Sequence, residues 1–165
     1  IISVKSILTC SRISGRDIKK DMIDKHKSVV TKIDDHIREN AWFDFHLWRY
    51  DGRNLVISGS TDLTYYHKLE IVFTDVFFAS TFFEGWHSDT DKPVIEIPDT
   101  DLNRELNIKF EIEQGYQLFI IRTEDYKNDI YVAAKDIDFN TDTVYYHYKE
   151  YLKDNERMAD FVTKK

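Results

Sequence analysis

The chain of 165 residues carries one cysteine, five glycines and two prolines, and each shortage removes a class of protein. One cysteine excludes a disulfide scaffold and a multi-cysteine zinc site, and it points to a reducing compartment, so a cytoplasmic protein is expected. Five glycines leave no clustered loop that could bring backbone N–H groups against a phosphate. Gly52 and Gly59 stand too far apart, and neither is followed by Lys-Ser or Lys-Thr. The nucleophile elbow is absent too, because Ser58-Gly59-Ser60 lies within a strand pattern rather than at a strand-to-helix turn. No stretch approaches the roughly 20 apolar residues of a membrane span. The opening IISVKSILTC places Cys10 after an apolar run, as a lipoprotein signal would, but Lys5 breaks the run and Thr9 stands where a small residue is needed. Cys10 has no neighbouring histidine to activate it and reads as a small buried residue. Basic residues are outnumbered, 23 against 30 acidic, for a net charge of -7, which argues against nucleic acid as a partner.

What the chain has in quantity is apolar material, 42% hydrophobic and 15% aromatic, enough for one real core. Ile18, Met22, Val29, Val30, Ile33 and Ile37 recur at helical spacing, which predicts an amphipathic helix over Asp17–Glu39, capped by Ser14 or Asp17. The charges between them alternate in sign, as on a solvated face, and His26 and His36 are expected there in water. After Asn40 the period changes to two. Trp42–Tyr50 and Leu55–Gly59 flank a turn at Asp51-Gly52-Arg53-Asn54 and form the best hairpin. Lys68–Ser80 follows, with a bulge near Asp75. Pro93 and Pro98 bracket a short edge strand. Leu106–Glu113 alternates as a half-buried strand, Tyr116–Thr123 reads as a strand covered on both faces, and Ile130–Phe139 completes the series. Asn155 is a fair N-cap for a short helix over Glu156–Thr163. The Phe77, Phe78, Phe82 and Phe83 group is expected in the core. The fold class is therefore α+β: a single domain, residues 1–165, with a long N-terminal amphipathic helix packed on a curved antiparallel sheet or partial barrel, and a short C-terminal helix.

Chemistry-bearing constellations are sparse. Asp99, Asp101 and Asn103 imitate the start of a calcium loop, but Arg104 and Phe110 occupy the places of its glycine and bidentate glutamate; the set at Asp138, Asn140 and Asp142 fails likewise at Thr143 and Lys149. His46, His67 and His87 fall about twenty residues apart in the strand region, so adjacent strands could gather them into a metal site, although no pair has the close spacing that fixes two ligands on one element. Tyrosines of Tyr65-Tyr66 and Tyr145-Tyr146 could line a groove for a sugar or peptide. No cofactor is implied.

Charge is more informative. Residues 1–39 hold nine basic and six acidic side chains, so the surplus of acid lies in the sheet and tail. Glu84 to Glu113 contains nine acidic residues against Lys92, Arg104 and Lys109. With every catalytic motif absent, the expectation is a non-enzymatic, immunity- or inhibitor-type protein. It would dock a basic protein through Glu84, Trp86, His87, Asp89, Asp91, Asp99 and Asp101, the carboxylates speeding encounter and the tryptophan serving as an exposed anchor. The alternative is a small metal-dependent enzyme or ligand-binding barrel built on His46, His67 and His87. A third reading is a structural subunit whose tyrosine-rich tail packs into an oligomer.

Overall fold

Turn chemistry and alternation act together in the first hairpin. In the computed structural model, which describes residues 15–40, 42–88 and 91–163, β1 (Asp44–Tyr50) pairs antiparallel with β2 (Leu55–Ser60). Asp51 Oδ1 accepts from the backbone N–H groups of Arg53 and Asn54 at 3.0 and 2.7 Å, and Gly52 takes the positive φ of 91° that the turn requires. Ser14, Cys10 and Asp89 lie outside the described residues.

β3 (Tyr66–His67) leads into β4 (Leu69–Ser80), which pairs with β2 and with β8 (Ile130–Asn140). The β4–β8 register slips between Val76 and Phe78 beside Asp75, whose φ is 52°, so the expected bulge is present. β7 (Gln117–Ile121) lies beyond β8, and β6 (Ile95–Glu96), between the two prolines, forms one edge. β5 (Trp86–His87) forms the other, giving the order β5-β1-β2-β4-β8-β7-β6. A second sheet joins β3, β9 (Thr143–Tyr145) and β10 (Glu156–Met158). The protein is thus of mixed α and β content, with a curled antiparallel half-barrel sheet and two helices. The curl brings the two edges together. Ser88, just past β5, bridges to Thr123, just past β7, and its Oγ accepts the Phe43 N–H at 3.0 Å.

Helix α1 spans Gly15–Arg38. Its Val30, Ile33 and Ile37 join Phe43, Phe45, Ile57, Phe73, Phe119 and Val132 in the main core. Met22 of the expected stripe is exposed, and His26, expected in water, is buried at 2% exposure with its ring edge-on to Phe119. The buried face is therefore His26-Val30-Ile33-Ile37, one helical ridge. The ring tolerates that position because Nε2 meets Asp136 Oδ1 at 3.1 Å, yet burial prevails and holds the imidazole below its ordinary pKa of 6.5.

Three other expectations are corrected. Leu106–Glu113 is not a strand: α2 spans Thr100–Lys109. Asp99 caps it, with Oδ1 accepting from the N–H groups of Asp101 and Leu102 at 3.1 and 2.9 Å, so the acidic alternation that imitates a calcium loop is a cap followed by a first turn. Leu102, Leu106 and Phe110 pack with Leu118, Ile120 and Ala133, while Phe119 and Ile121 face the main core. That is why β7 reads as apolar on both faces. The expected short C-terminal helix over Glu156–Thr163 is also absent: Glu156–Met158 is β10, parallel to β9. Glu156 is held there by Lys149 Nζ at 2.6 Å and by the Lys153 N–H at 3.1 Å. The cation and the N–H hold its carboxyl down to about 2. Finally, the phenylalanine group is core only in part: Phe78 and Phe82 pack against the two core clusters, while Phe77 and Phe83 do not. Phe83 is 82% exposed, Phe77 is exposed, and Phe78 and Phe82 are half-buried.

Candidate functional site

Three short pieces of backbone meet beside the hairpin and enclose a cleft of about 510 Å³. From β1 come Asp44, Phe45, His46 and Trp48, and from β2 comes Ser58. Gly85, Trp86 and His87 arrive on the β5 edge, while Leu63 and Tyr146 come from the segments flanking the second sheet. Asp44 and His46 occupy alternate positions of one strand and so share its face, and Trp48, the extra residue where the register shifts between Leu47 and Arg49, joins them at the cleft.

The cleft has one aromatic wall, and beneath it, on the opposite face of β1, Phe45 stacks on Trp86 within the main core with centroids 6.0 Å apart and planes at 21°. Trp48 stacks on Tyr146 at 5.2 Å and 14°, and Phe161 lies 6.0 Å from Trp48. Behind the Trp48–Tyr146 wall runs a buried polar chain. Tyr146 Oη lies 2.9 Å from His67 Nδ1, His67 Nε2 lies 3.1 Å from Glu70 Oε1, and Arg157 donates to Glu70 Oε2 at 2.5 Å. A carboxylate only accepts, so Nε2 carries hydrogen toward Glu70, and in the neutral ring Nδ1 accepts from the tyrosine hydroxyl. Burial pushes Tyr146 up to about 12, which keeps it a hydroxyl donor. Burial also works against Glu70, but hydrogen bonds from His67 and Arg157 outweigh it and leave the carboxyl below its usual 4.5.

Charge gathers at the β5 side of the cleft. The register that sets Phe45 opposite Trp86 also sets Asp44 opposite His87. Asp125 clasps His87 twice: Oδ2 accepts the backbone N–H at 2.5 Å, and Nδ1 lies 2.9 Å from Oδ1. Nε2 is then left toward Asp44 Oδ1 at 3.3 Å. His87 is 55% exposed by side chain, and its pKa is raised first by the Asp125 hydrogen bond and then by the charges of Asp125, Asp44 and Glu124. The three carboxylates outnumber the single imidazolium.

Of the expected metal ligands, the cleft brings together His46 and His87. His67 stands behind Tyr146 with both ring nitrogens engaged. Among the described residues, no group of three or more His, Cys, Asp and Glu side chains is placed to hold a metal ion. Of the expected docking residues, Glu84 is exposed next to Gly85 of the cleft. Trp86, expected as an exposed anchor, is 2% exposed and belongs to the main core instead, because strand pairing turns it onto Phe45. Asp99 and Asp101 start α2, and Asp91 is exposed ahead of β6, so these three belong to other elements. Much other acid is neutralised locally: Glu96 and Asp129 by Arg122, Asp75 by Arg53, and Asp34 by Arg38.

Asp44, Trp48, Ser58 and Asp125 are the site residues that sequence reasoning misses, while Tyr146 is the one groove-lining tyrosine of those expected that reaches the cleft. The alternation of Asp44, His46 and Trp48 along the hairpin strand is the signal for two of them. Asp125 sits in a loop beyond β7 and leaves no such signal.

No described helix is long and apolar enough to cross a membrane. A scan against protein-family models finds no match, and searches of curated proteins and of solved structures find none either.

Proposed function

We propose that this is an acidic, non-enzymatic binding protein that docks a basic protein partner, in the manner of an immunity protein or inhibitor, and that the cleft between β1 and β5 is its docking point. The observation that carries this reading is the cluster at the cleft's charged side, where the charges of Asp44, Asp125 and Glu124 act on one imidazole beside the Trp48–Tyr146 wall. Half-buried Trp48 and Tyr146 supply contact area, and unbalanced carboxylates supply attraction and steering. Association with a peptide rich in lysine and arginine, measured over a salt series, tests it. The binding constant is expected to fall steeply as salt screens the carboxylates. A constant that hardly changes with ionic strength overturns the reading.

A second reading, a half-barrel that holds a small ligand between His46 and His87, draws on the cleft's volume of about 510 Å³, which falls within the usual range of ligand sites. Saturable binding of a small neutral aromatic compound in the cleft, together with salt-independent peptide binding, would favour it over the first.

A further inference from the structure

The Trp48–Tyr146 stack meets a further ring from within and another from outside. His67, fully buried, lies 4.8 Å from Trp48 and 5.6 Å from Tyr146. Phe161 lies 6.0 Å from Trp48 and 6.1 Å from Tyr146, tilted by 50° and 46°, and is 63% exposed. With Trp48 and Tyr146 themselves 5.2 Å apart, the Phe161 ring rests against the solvent side of both at once. Those two rings line the cleft, so Phe161 covers the outer rim of its aromatic wall. The segment that carries it is lightly held. Ala159 is 3% exposed and its N–H donates to the Tyr145 carbonyl at 2.9 Å, which fixes the end of β10. Past that point, among the described residues, the Val162 N–H closes a turn on the Ala159 carbonyl at 2.9 Å, and Arg49 meets Asp160 at 3.5 Å with side chains 54% and 86% exposed. The turn ties the segment only to its own start, and an exposed ion pair at that distance contributes little. What chiefly seats the segment is the Phe161 ring.

We propose that residues 160–163 form a displaceable strap, with Phe161 occupying the outer side of the Trp48–Tyr146 stack until an aromatic side chain of the basic partner takes its place. The inference rests on the basic-partner reading for the chain that displaces the strap. An aromatic ring is the fitting successor because the seat is made of ring faces and edges, which Phe161 meets at the tilted angles that aromatic pairs prefer. Charge favours the exchange: Asp160 is open to a lysine or arginine of the partner, which draws the segment off Arg49. Because the Ala159 N–H stays on Tyr145, the strap swings from the end of β10 without unpairing β9 and β10. While the strap is closed the seat is filled, so the partner's apparent affinity is scaled down to the fraction of molecules in which it is open.

The test is nuclear magnetic resonance of the ¹⁵N-labelled full chain and of its Phe161→Ala and Phe161→Tyr variants, each checked by its unfolding midpoint. Two probes are titrated: neutral N-acetyl-phenylalanine amide, and a lysine-rich peptide carrying one phenylalanine. Phe161→Ala is expected to bind both several-fold more tightly than the native chain, with the Trp48 indole resonance moving, while Phe161→Tyr, which keeps a ring on the seat, binds as the native chain does. In the native chain the peptide should release the strap, so the heteronuclear Overhauser effects of the Phe161 and Val162 amides fall to those of free chain. Peptide that binds Phe161→Ala no more tightly than the native chain, or that leaves the Phe161 amide rigid, overturns the strap and leaves the basic-partner reading intact. Peptide that binds none of the three proteins overturns both.

Discussion

Gly59 couples the hairpin's packing to the cleft, and replacing it by alanine tests that coupling. In the β1–β2 register Gly59 faces Phe45. A Cβ built there would stand 2.7 and 2.9 Å from Phe45 Cε1 and Cδ1, and 3.0 Å from Phe43 Cδ1. Contacts this short cannot persist, and relief is blocked because Phe45 and Phe43 are each 1% exposed. Phe45 is also stacked on Trp86. Overpacking of this kind costs about 1–3 kcal/mol. At the middle of that range, a chain this long loses about 4–8 °C of melting temperature. Urea unfolding followed by near-ultraviolet circular dichroism reads both the free energy and the environment of Trp86. Gly52→Ala is the control, since a Cβ there meets nothing within 4 Å but the backbone φ is 91°. Its cost, about 1 kcal/mol, is conformational. Phe45→Leu should therefore recover part of the Gly59→Ala loss, on the order of 1 kcal/mol of coupling, and none of the Gly52→Ala loss. If Gly59→Ala changes stability by less than about 0.5 kcal/mol, or if Phe45→Leu adds to it independently, the tight Gly59–Phe45 contact is wrong.

Other consequences follow from single groups. Asp99→Ala removes the acceptor for two N–H groups of α2 and should cost about 1 kcal/mol in urea unfolding; no loss would mean that α2 does not depend on its cap. Arg157→Met leaves Glu70, 8% exposed, with His67 as its remaining side-chain partner among the described residues. A broken buried pair costs up to about 3–5 kcal/mol, and the 39% exposure of the Arg157 side chain reduces the expectation to about 1–3. Because Glu70 is held below 4.5 in the native protein, its share of stability is present above that value and fades as pH falls. The gap between Arg157→Met and the native chain should narrow as pH falls below 4.5 and through the folded pKa of Glu70, and a gap constant with pH would contradict the pairing. His26 is depressed below 6.5 by burial, so its neutral form contributes stability above that value that disappears as pH falls through the folded pKa. His87, raised above 6.5, contributes with the opposite sign: its share is present at low pH and lost as pH rises through the folded pKa. Between pH 7.5 and 5 the melting temperature of His26→Leu should therefore fall less than that of the native chain; parallel curves would place His26 in water.

The sheet was largely legible because half-buried strands must alternate. The hairpin, the Asp75 bulge and the double-sided β7 all follow from period two and turn residues. Alternation misleads at Leu106–Glu113, where Asp99 caps a helix whose Leu102-Leu106-Phe110 ridge is equally present in the letters. It fails again at Glu156–Met158, too short to show a period and fixed by Lys149 and Tyr145 from elsewhere in the chain. The site was half legible. Trp86 and His87 stood out by type, but whether they face solvent depends on pairing with β1, and Asp125 reaches His87 only because the sheet curls until Ser88 meets Thr123. Such long-range closure leaves no periodic trace.

Where a basic partner lands decides whether the cleft between β1 and β5 is the docking point. A resonance-by-resonance map of the ¹⁵N-labelled chain, titrated with a basic peptide at low salt, should show the largest changes at Asp44, Trp48, Gly85, Trp86, His87 and Asp125. Changes concentrated instead on Asp99, Asp101 and the rest of α2, or spread evenly over the acidic surface, would contradict it.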